Sequence, residues 1–238
     1  MEVYVGTSGW MYEWNPKRNF EWFIKNSGLN AAELNVSFYR FPFPSQVKGW
    51  AQRGKALRWA IKVNRLITHT FKFNQRAFKL WKRFENLFKP LDACIDFYLF
   101  QLPPQMKSSF APKLQQFIEK TKLRQRFALE VRNLDWFEEK WIGWASELGI
   151  TWVSVDAPDF TNFPREVYNT SGLVYLRMHG RYAWYSHYYT DEELEEVAEK
   201  IMEVKPKKVY VMLNNNHAML SNARSMKRIL ERLIKNQS

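Results

Sequence analysis

Pairs of ionisable or amide side chains two residues apart recur along this chain: Glu33 with Asn35, Glu130 with Arg132, and Arg177 with His179. A spacing of two puts both members on one face of a strand. Each pair lies at the end of a short apolar run, as in LVYLRMHG, and so do Lys62, Gln101, Asp156, Asn214 and Asn215. Charge at the end of a buried strand is costly unless something there needs it. The set could perform acid–base chemistry on an anion. Glu130 or Asp156 would act as base, with Glu33 as a further carboxylate, and His179, which titrates near neutrality, as acid. Lys62, Arg132 and Arg177 would bind the anion, arginine in bidentate fashion. Asn35, Gln101, Asn214 and Asn215 add neutral hydrogen-bonding groups.

The same donors allow a second chemistry. Glu33, Glu130, Asp156 and His179 could hold one divalent metal ion that polarises a phosphoryl oxygen, as in a phosphodiesterase or nuclease. Against this, the three cations compete with a metal, and the four histidines of the whole chain are too few for a histidine-rich zinc cluster. Paired carboxylates and many aromatics also permit a glycosidase. A third reading is a non-catalytic nucleic-acid-binding module. Arg76, Lys79, Lys82 and Arg83 interleave with Phe78, Trp81 and Phe84, although an ordinary amphipathic helix has the same pattern. The loop RYAWYSHYY (Arg181–Tyr189) could stack on a base or sugar, or form a lid.

The elements that must position these groups follow a regular order. Apolar runs read as strands at Val3–Ser8, Ala31–Asn35, Arg58–Val63, Cys94–Pro103, Phe127–Arg132, Thr151–Ala157, Leu173–Gly180 and Lys208–Asn216. Amphipathic helical stretches alternate with them, except after the sixth strand, where the helix is weak or absent. Asn15-Pro16 is expected to open the first helix. Asp135 with Glu138, and Thr190 with Glu193, form capping-box patterns. Eight such units in 238 residues match a single (β/α)₈ TIM-type barrel over residues 1–238. An open doubly wound sheet is the alternative, but no Gly-rich fingerprint follows any strand. In a barrel, catalytic groups sit at the C-terminal ends of strands, where all the polar positions above fall.

Bulk properties narrow the setting. Lys and Arg number 36 against 24 Asp and Glu, for a net charge of +12, which favours an anionic small molecule or nucleic acid as partner. The lone cysteine, Cys94, excludes an intrachain disulfide and a thiolate metal cluster. No cleavable leader or apolar run of membrane length is visible, so a soluble cytoplasmic protein is expected.

The motifs GTSGW, ELNVSFYR, ITH, QLPP, EVRNLDW, VDAPD, RMHG and NNNHAMLSNA, in this order over nearly the whole chain, resemble the YecE-like family, number 72 in the domain-of-unknown-function series. The resemblance implies a TIM barrel and brings no established reaction. It marks Gly9, Trp10, Glu33, Asn35, Tyr39, Lys62, His69, Gln101, Glu130, Arg132, Asp156, Arg177, His179, Gly180, Asn214 and Asn215 as hallmark positions, adding Trp10, Tyr39 and His69 to the expected substrate contacts. MLNNN departs from the family's usual aromatic residue before the asparagines, which bears on packing. The fold it implies is also similar to that of sugar isomerases and an apurinic endonuclease class, by analogy only.

Overall fold

Eight short runs rich in apolar residues become eight parallel strands, and in the computed structural model, which describes residues 1–236, they close into a barrel in sequence order. The strands are β1 (Glu2–Ser8), β2 (Ala31–Leu34), β3 (Arg58–Lys62), β4 (Ile95–Gln101), β5 (Phe127–Glu130), β6 (Thr151–Asp156), β7 (Leu173–Met178) and β8 (Lys208–Leu213). Closure comes from β8 pairing with β1, where Tyr4 faces Tyr210 and Thr7 faces Leu213. The helices are α1 (Phe20–Asn26), the four-residue α2 (Val36–Tyr39), α3 (Pro44–Arg53), α4 (Gln75–Phe88), α5 (Ala111–Thr121), α6 (Glu139–Glu147), α7 (Asp191–Glu203) and α8 (Met219–Asn236). The connection from β6 to β7 has no α-helix, only a short 3₁₀ turn at Asp159–Thr161. This matches the gap expected from the sequence.

Period-two alternation sorts the strand residues between two cores. Ala31, Ala60, Phe97, Leu99, Ala128, Val153, Val155, Leu173, Tyr175, Tyr210 and Met212 pack together inside the barrel. The larger cluster, including Val5, Trp59, Ile61, Phe100, Leu129, Trp152 and Val211, lies between the strands and the helices. Continuing the inward parity toward the C-terminal ends leads to Glu33, Lys62, Gln101, Glu130, Arg177 and His179. Gly6 sits where β1 approaches β2 so closely that a Cβ would lie 2.3 Å from the Ala31 carbonyl oxygen. Only glycine allows that approach.

Helix ends decide two local details differently from the expectation. Helix α1 starts at Phe20, not at Pro16, because the Asn19 side chain accepts from the Trp22 amide and makes the cap. The Asn15 amide is instead buried, donating to the carbonyls of Trp10 and Asn19 at 2.7 and 2.8 Å and so tying down the loop after β1. Asp135 makes no capping box. It lies in a 3₁₀ turn capped by Asn133 and anchored by the buried Trp136, whose indole donates to the Met106 carbonyl, and α6 begins only at Glu139. The Thr190–Glu193 box does form, with both reciprocal bonds present. Among the described residues no helix is long and apolar enough to cross a membrane.

Candidate functional site

The inward-facing ends of β2, β5 and β7 bring together a buried ionic layer. Arg177 is fully buried and spends its guanidinium on two carboxylates. Its Nε and Nη2 donate to Glu33 at 2.8 and 2.7 Å, a bidentate pair, and Nη1 donates to Glu130. Glu33 also accepts from the hydroxyls of Ser8, at 2.7 Å, and Tyr175. Glu130 accepts from Gln101 at 2.8 Å and from Arg132. Burial would raise both carboxyl groups. Arg177 overcomes this at Glu33, and Arg132 with Arg177 at Glu130, so both are held below the usual carboxylate range and stay ionised.

His179 lies at the edge of this layer, with Nε2 3.1 Å from Arg132 Nη2 and 3.3 Å from Arg177 Nη1. Burial, then Arg177 and Arg132, push its pKa well below the usual histidine value. This environment favours the neutral ring, whereas the sequence suggested an imidazolium acid. With two guanidinium donors on Nε2, the ring proton belongs on Nδ1. The Asn214 amide, 3.0 Å away, must then turn its oxygen toward that proton.

Lys62 is the surplus charge. Two guanidinium groups face two carboxylates, and the Lys62 ammonium has no hydrogen bond or ion pair among the described residues. It lies 4.4 Å from the centre of the Phe38 ring. Burial first, and Arg177 next, lower its pKa from 10.5 to about 7.

Other expected positions fall around this layer. Asp156 lies on β6 with the parity of Trp152 and Ser154, which face the helices, while Val153 and Val155 face inward. Its carboxylate accepts from the Tyr189 hydroxyl at 2.8 Å and from Arg181. Among the described residues its only link to the layer is through the backbone, where its carbonyl accepts from the His179 amide at 2.8 Å. Among the described residues no three metal-ligating side chains gather as a metal site. The alternative four-donor cation site needs Glu33, Glu130, Asp156 and His179 to converge, whereas the Asp156 carboxylate faces Tyr189 and Arg181 and arginines occupy both glutamates. His69 is half-buried, bonded to the Thr68 hydroxyl and edge-on to Phe38. Trp10 packs into an aromatic cluster with Phe20, Trp50 and Trp59, its edge lining a small apolar hollow with Tyr12 and Asn35. Tyr39 is 69% exposed on the rim. Asn215 stitches the loop after β7 to α8, donating to the His187 carbonyl and to Asn222.

That loop covers the mouth. Trp184 stacks on the Arg132 guanidinium at 4.6 Å, and Trp184 and Tyr185 both pack edge-on to His179. A cavity of about 350 Å³ remains open beside it, lined by His69, Gln101, Leu102, Pro104, Arg132, Trp184 and Tyr185. In α4 the aromatic side chains turn inward and Arg76, Lys79, Lys82 and Arg83 outward, the ordinary amphipathic arrangement. Sequence reasoning passed over Tyr175, which reads as one more apolar strand residue. Its parity with Arg177 and His179 was the available signal. The Tyr189 hydroxyl, buried between Asp156 and the Gly180 amide, left no such trace.

Comparison with known proteins gives one family. The model described as protein of unknown function DUF72 matches residues 4–238. A DUF72 family protein from Enterococcus faecalis superposes with a TM-score of 0.83 at 20% identity, covering 96% of this chain and 95% of that one. One from Thermotoga maritima gives 0.77 at 28% identity, covering 97% and 100%. A xylose isomerase-like TIM barrel/4-hydroxyphenylpyruvate dioxygenase fusion protein gives 0.58 at 15% identity, covering all of this chain and 44% of that one, a likeness of fold alone. No curated protein matches.

Proposed function

The chain belongs to the DUF72 family, whose function is unknown, and from that premise we propose that the barrel mouth is an enzyme pocket for a small anionic substrate. Arg132 is the guanidinium on the open side of the ionic layer, lining the cavity with Gln101 and His69. It makes the first contact with a phosphate or carboxylate through Nη1, because Nε and Nη2 already face Glu130 and His179. Arg177 takes a different part from the one its sequence position suggested. Saturated by Glu33 and Glu130, it holds both carboxylates ionised and sets the field in which its neighbours titrate.

The observation that carries the proposal is Lys62. A partly buried ammonium with no counter-ion among the described residues, beside a layer already balanced, is expensive as pure architecture. An anion arriving at Arg132 and Lys62 supplies the missing charge. With a pKa of about 7, Lys62 is also suited to give or take a proton at neutral pH. Neutral His179 is an acceptor by the same reasoning, and the aromatic pair Trp184 and Tyr185 keeps water from it.

Thermal melts with inorganic phosphate, sugar phosphates and nucleoside monophosphates test this reading. Millimolar phosphate compounds should raise the melting temperature of the wild-type protein, and Arg132→Met and Lys62→Met should each abolish the rise. Glu130 keeps Arg177 and Gln101 as partners in Arg132→Met, so that variant should fold. The reading fails if no anion shifts the wild type, or if both variants respond as it does.

A further inference from the structure

We infer that Lys62 is a nucleophile that forms an imine with the carbonyl group of an anionic aldehyde or ketone. This rests on the reading of the mouth as a substrate pocket and names the substrate's class. Three features of the fold carry it. First, the Lys62 backbone is fixed, because the Ser37 hydroxyl donates to its carbonyl oxygen at 2.6 Å and so sets α2 against the end of β3. The next residue of that helix, Phe38, places its ring under the Lys62 nitrogen. Second, among the described residues no side chain or backbone group accepts a hydrogen bond from the nitrogen, so no protein contact has to be given up before it can attack. The third feature is the surrounding charge. Arg177 and Arg132 oppose protonation of Lys62, while Glu33 and Glu130, already committed to those arginines, favour it less than free carboxylates would. His69, whose ring makes a T-shaped contact with Phe38, lines the cavity in which Arg132 would hold the substrate's anionic group.

A lysine amine becomes nucleophilic when desolvation or a neighbouring cation deprotonates it. Both act here. With its pKa lowered to about 7, Lys62 has a substantial neutral fraction at pH 7, against fewer than about one in a thousand for an ordinary lysine. In the step itself the nitrogen lone pair bonds to the carbonyl carbon and the π pair moves to oxygen. The two amine hydrogens pass to that oxygen as the C–N double bond forms, and water leaves. Amine and carbonyl become imine and water, with no oxidant or co-reactant. Protonated, the imine withdraws electrons from the adjacent carbon, which suits carbon–carbon cleavage or proton transfer next to a carbonyl.

The full chain is incubated at pH 7 with dihydroxyacetone phosphate, pyruvate or glyoxylate and sodium cyanoborohydride, then mapped by peptide mass spectrometry. Reductive trapping should mark Lys62 at least about a hundredfold more than an ordinary lysine would be marked, with Lys79 and Lys82 as the surface comparison. Saturating inorganic phosphate should protect Lys62, and Lys62→Arg should lose the mark while retaining its melting temperature. Phosphate protection is read on the wild type, so it decides the matter even if the variant misfolds. Labelling of Lys62 no greater than that of Lys79 with all three carbonyls overturns the inference. If phosphate still raises the melting temperature in that case, the anion pocket stands and only the imine falls. If it does not, both fall.

Discussion

Replacing Lys62 by methionine should stabilise this protein, and by an amount that depends on pH in a calculable way. The folded protein releases the Lys62 proton near pH 7, because burial and Arg177 disfavour the charge. The unfolded chain keeps it to about pH 10.4. Between those values the unfolded state binds more protons, so stability rises with pH. Each pH unit of the gap is worth about 1.4 kcal/mol, and the gap from about 7 to 10.5 is about 3.5, so the charge costs the folded state about 5 kcal/mol below pH 7. By pH 9 most of this is relieved and about 2 kcal/mol remains. Methionine has no proton to lose. The advantage of Lys62→Met should therefore shrink by about 2–3 kcal/mol between pH 6 and pH 9. Any difference in packing between the two side chains is the same at both pH values and cancels. Urea unfolding followed by the fluorescence of the 11 tryptophans measures it, with Lys79→Met as an exposed control for the loss of a surface lysine. If the stability gap between wild type and Lys62→Met is equal at pH 6 and pH 9 to within about 0.5 kcal/mol, the account of Lys62 as a desolvated, unpaired cation is wrong.

Arg177→Met leaves Glu33 and Glu130 buried without their shared partner, so unfolding should become easier by about 3–5 kcal/mol at pH 7; a loss under about 1 kcal/mol would contradict the ionic layer. Burial and Arg177 keep His179 neutral, so its ring resonances in NMR should not titrate between pH 8 and pH 6. Because the unfolded state can take up that proton and the folded state cannot, His179 should lower stability as pH falls below about 6.5. Gly180→Ala puts a Cβ 2.7 Å from the Ala183 carbonyl oxygen and from His187 Cβ at a φ of +108°. Chemical denaturation should register a loss of at least about 1–3 kcal/mol, and hydrogen exchange should quicken in residues 180–189; an unchanged melt would remove the case that this loop is held by its glycine.

Local periodicity reaches far into this protein. The eight strands, the missing helix after β6 and the Thr190–Glu193 cap could all be read from short windows, because strand and helix periods are properties of the backbone. Parity alone placed Glu33, Lys62, Glu130, Arg177 and His179 on inward positions at strand ends. It failed for Asp156. In a strand covered on both faces both parities are apolar, so WVSV does not say which side is the interior. Capping failed for Asn15 because Asn19, four residues on, competes for the same role and fits the helix geometry that the β1 loop imposes.

What the sequence determined, then, is the set of elements and the end of the barrel at which polar side chains collect, since both follow from patterns within a few residues. Which charges meet was decided by closure. Glu33 and Arg177 are 144 residues apart, and only the return of β8 to β1 completes the ring in which they become a bidentate pair. The protonation of His179 and Lys62 is a further step removed. It depends on how completely water is excluded and on which guanidinium groups stand nearby, and those quantities exist only once the chain has folded.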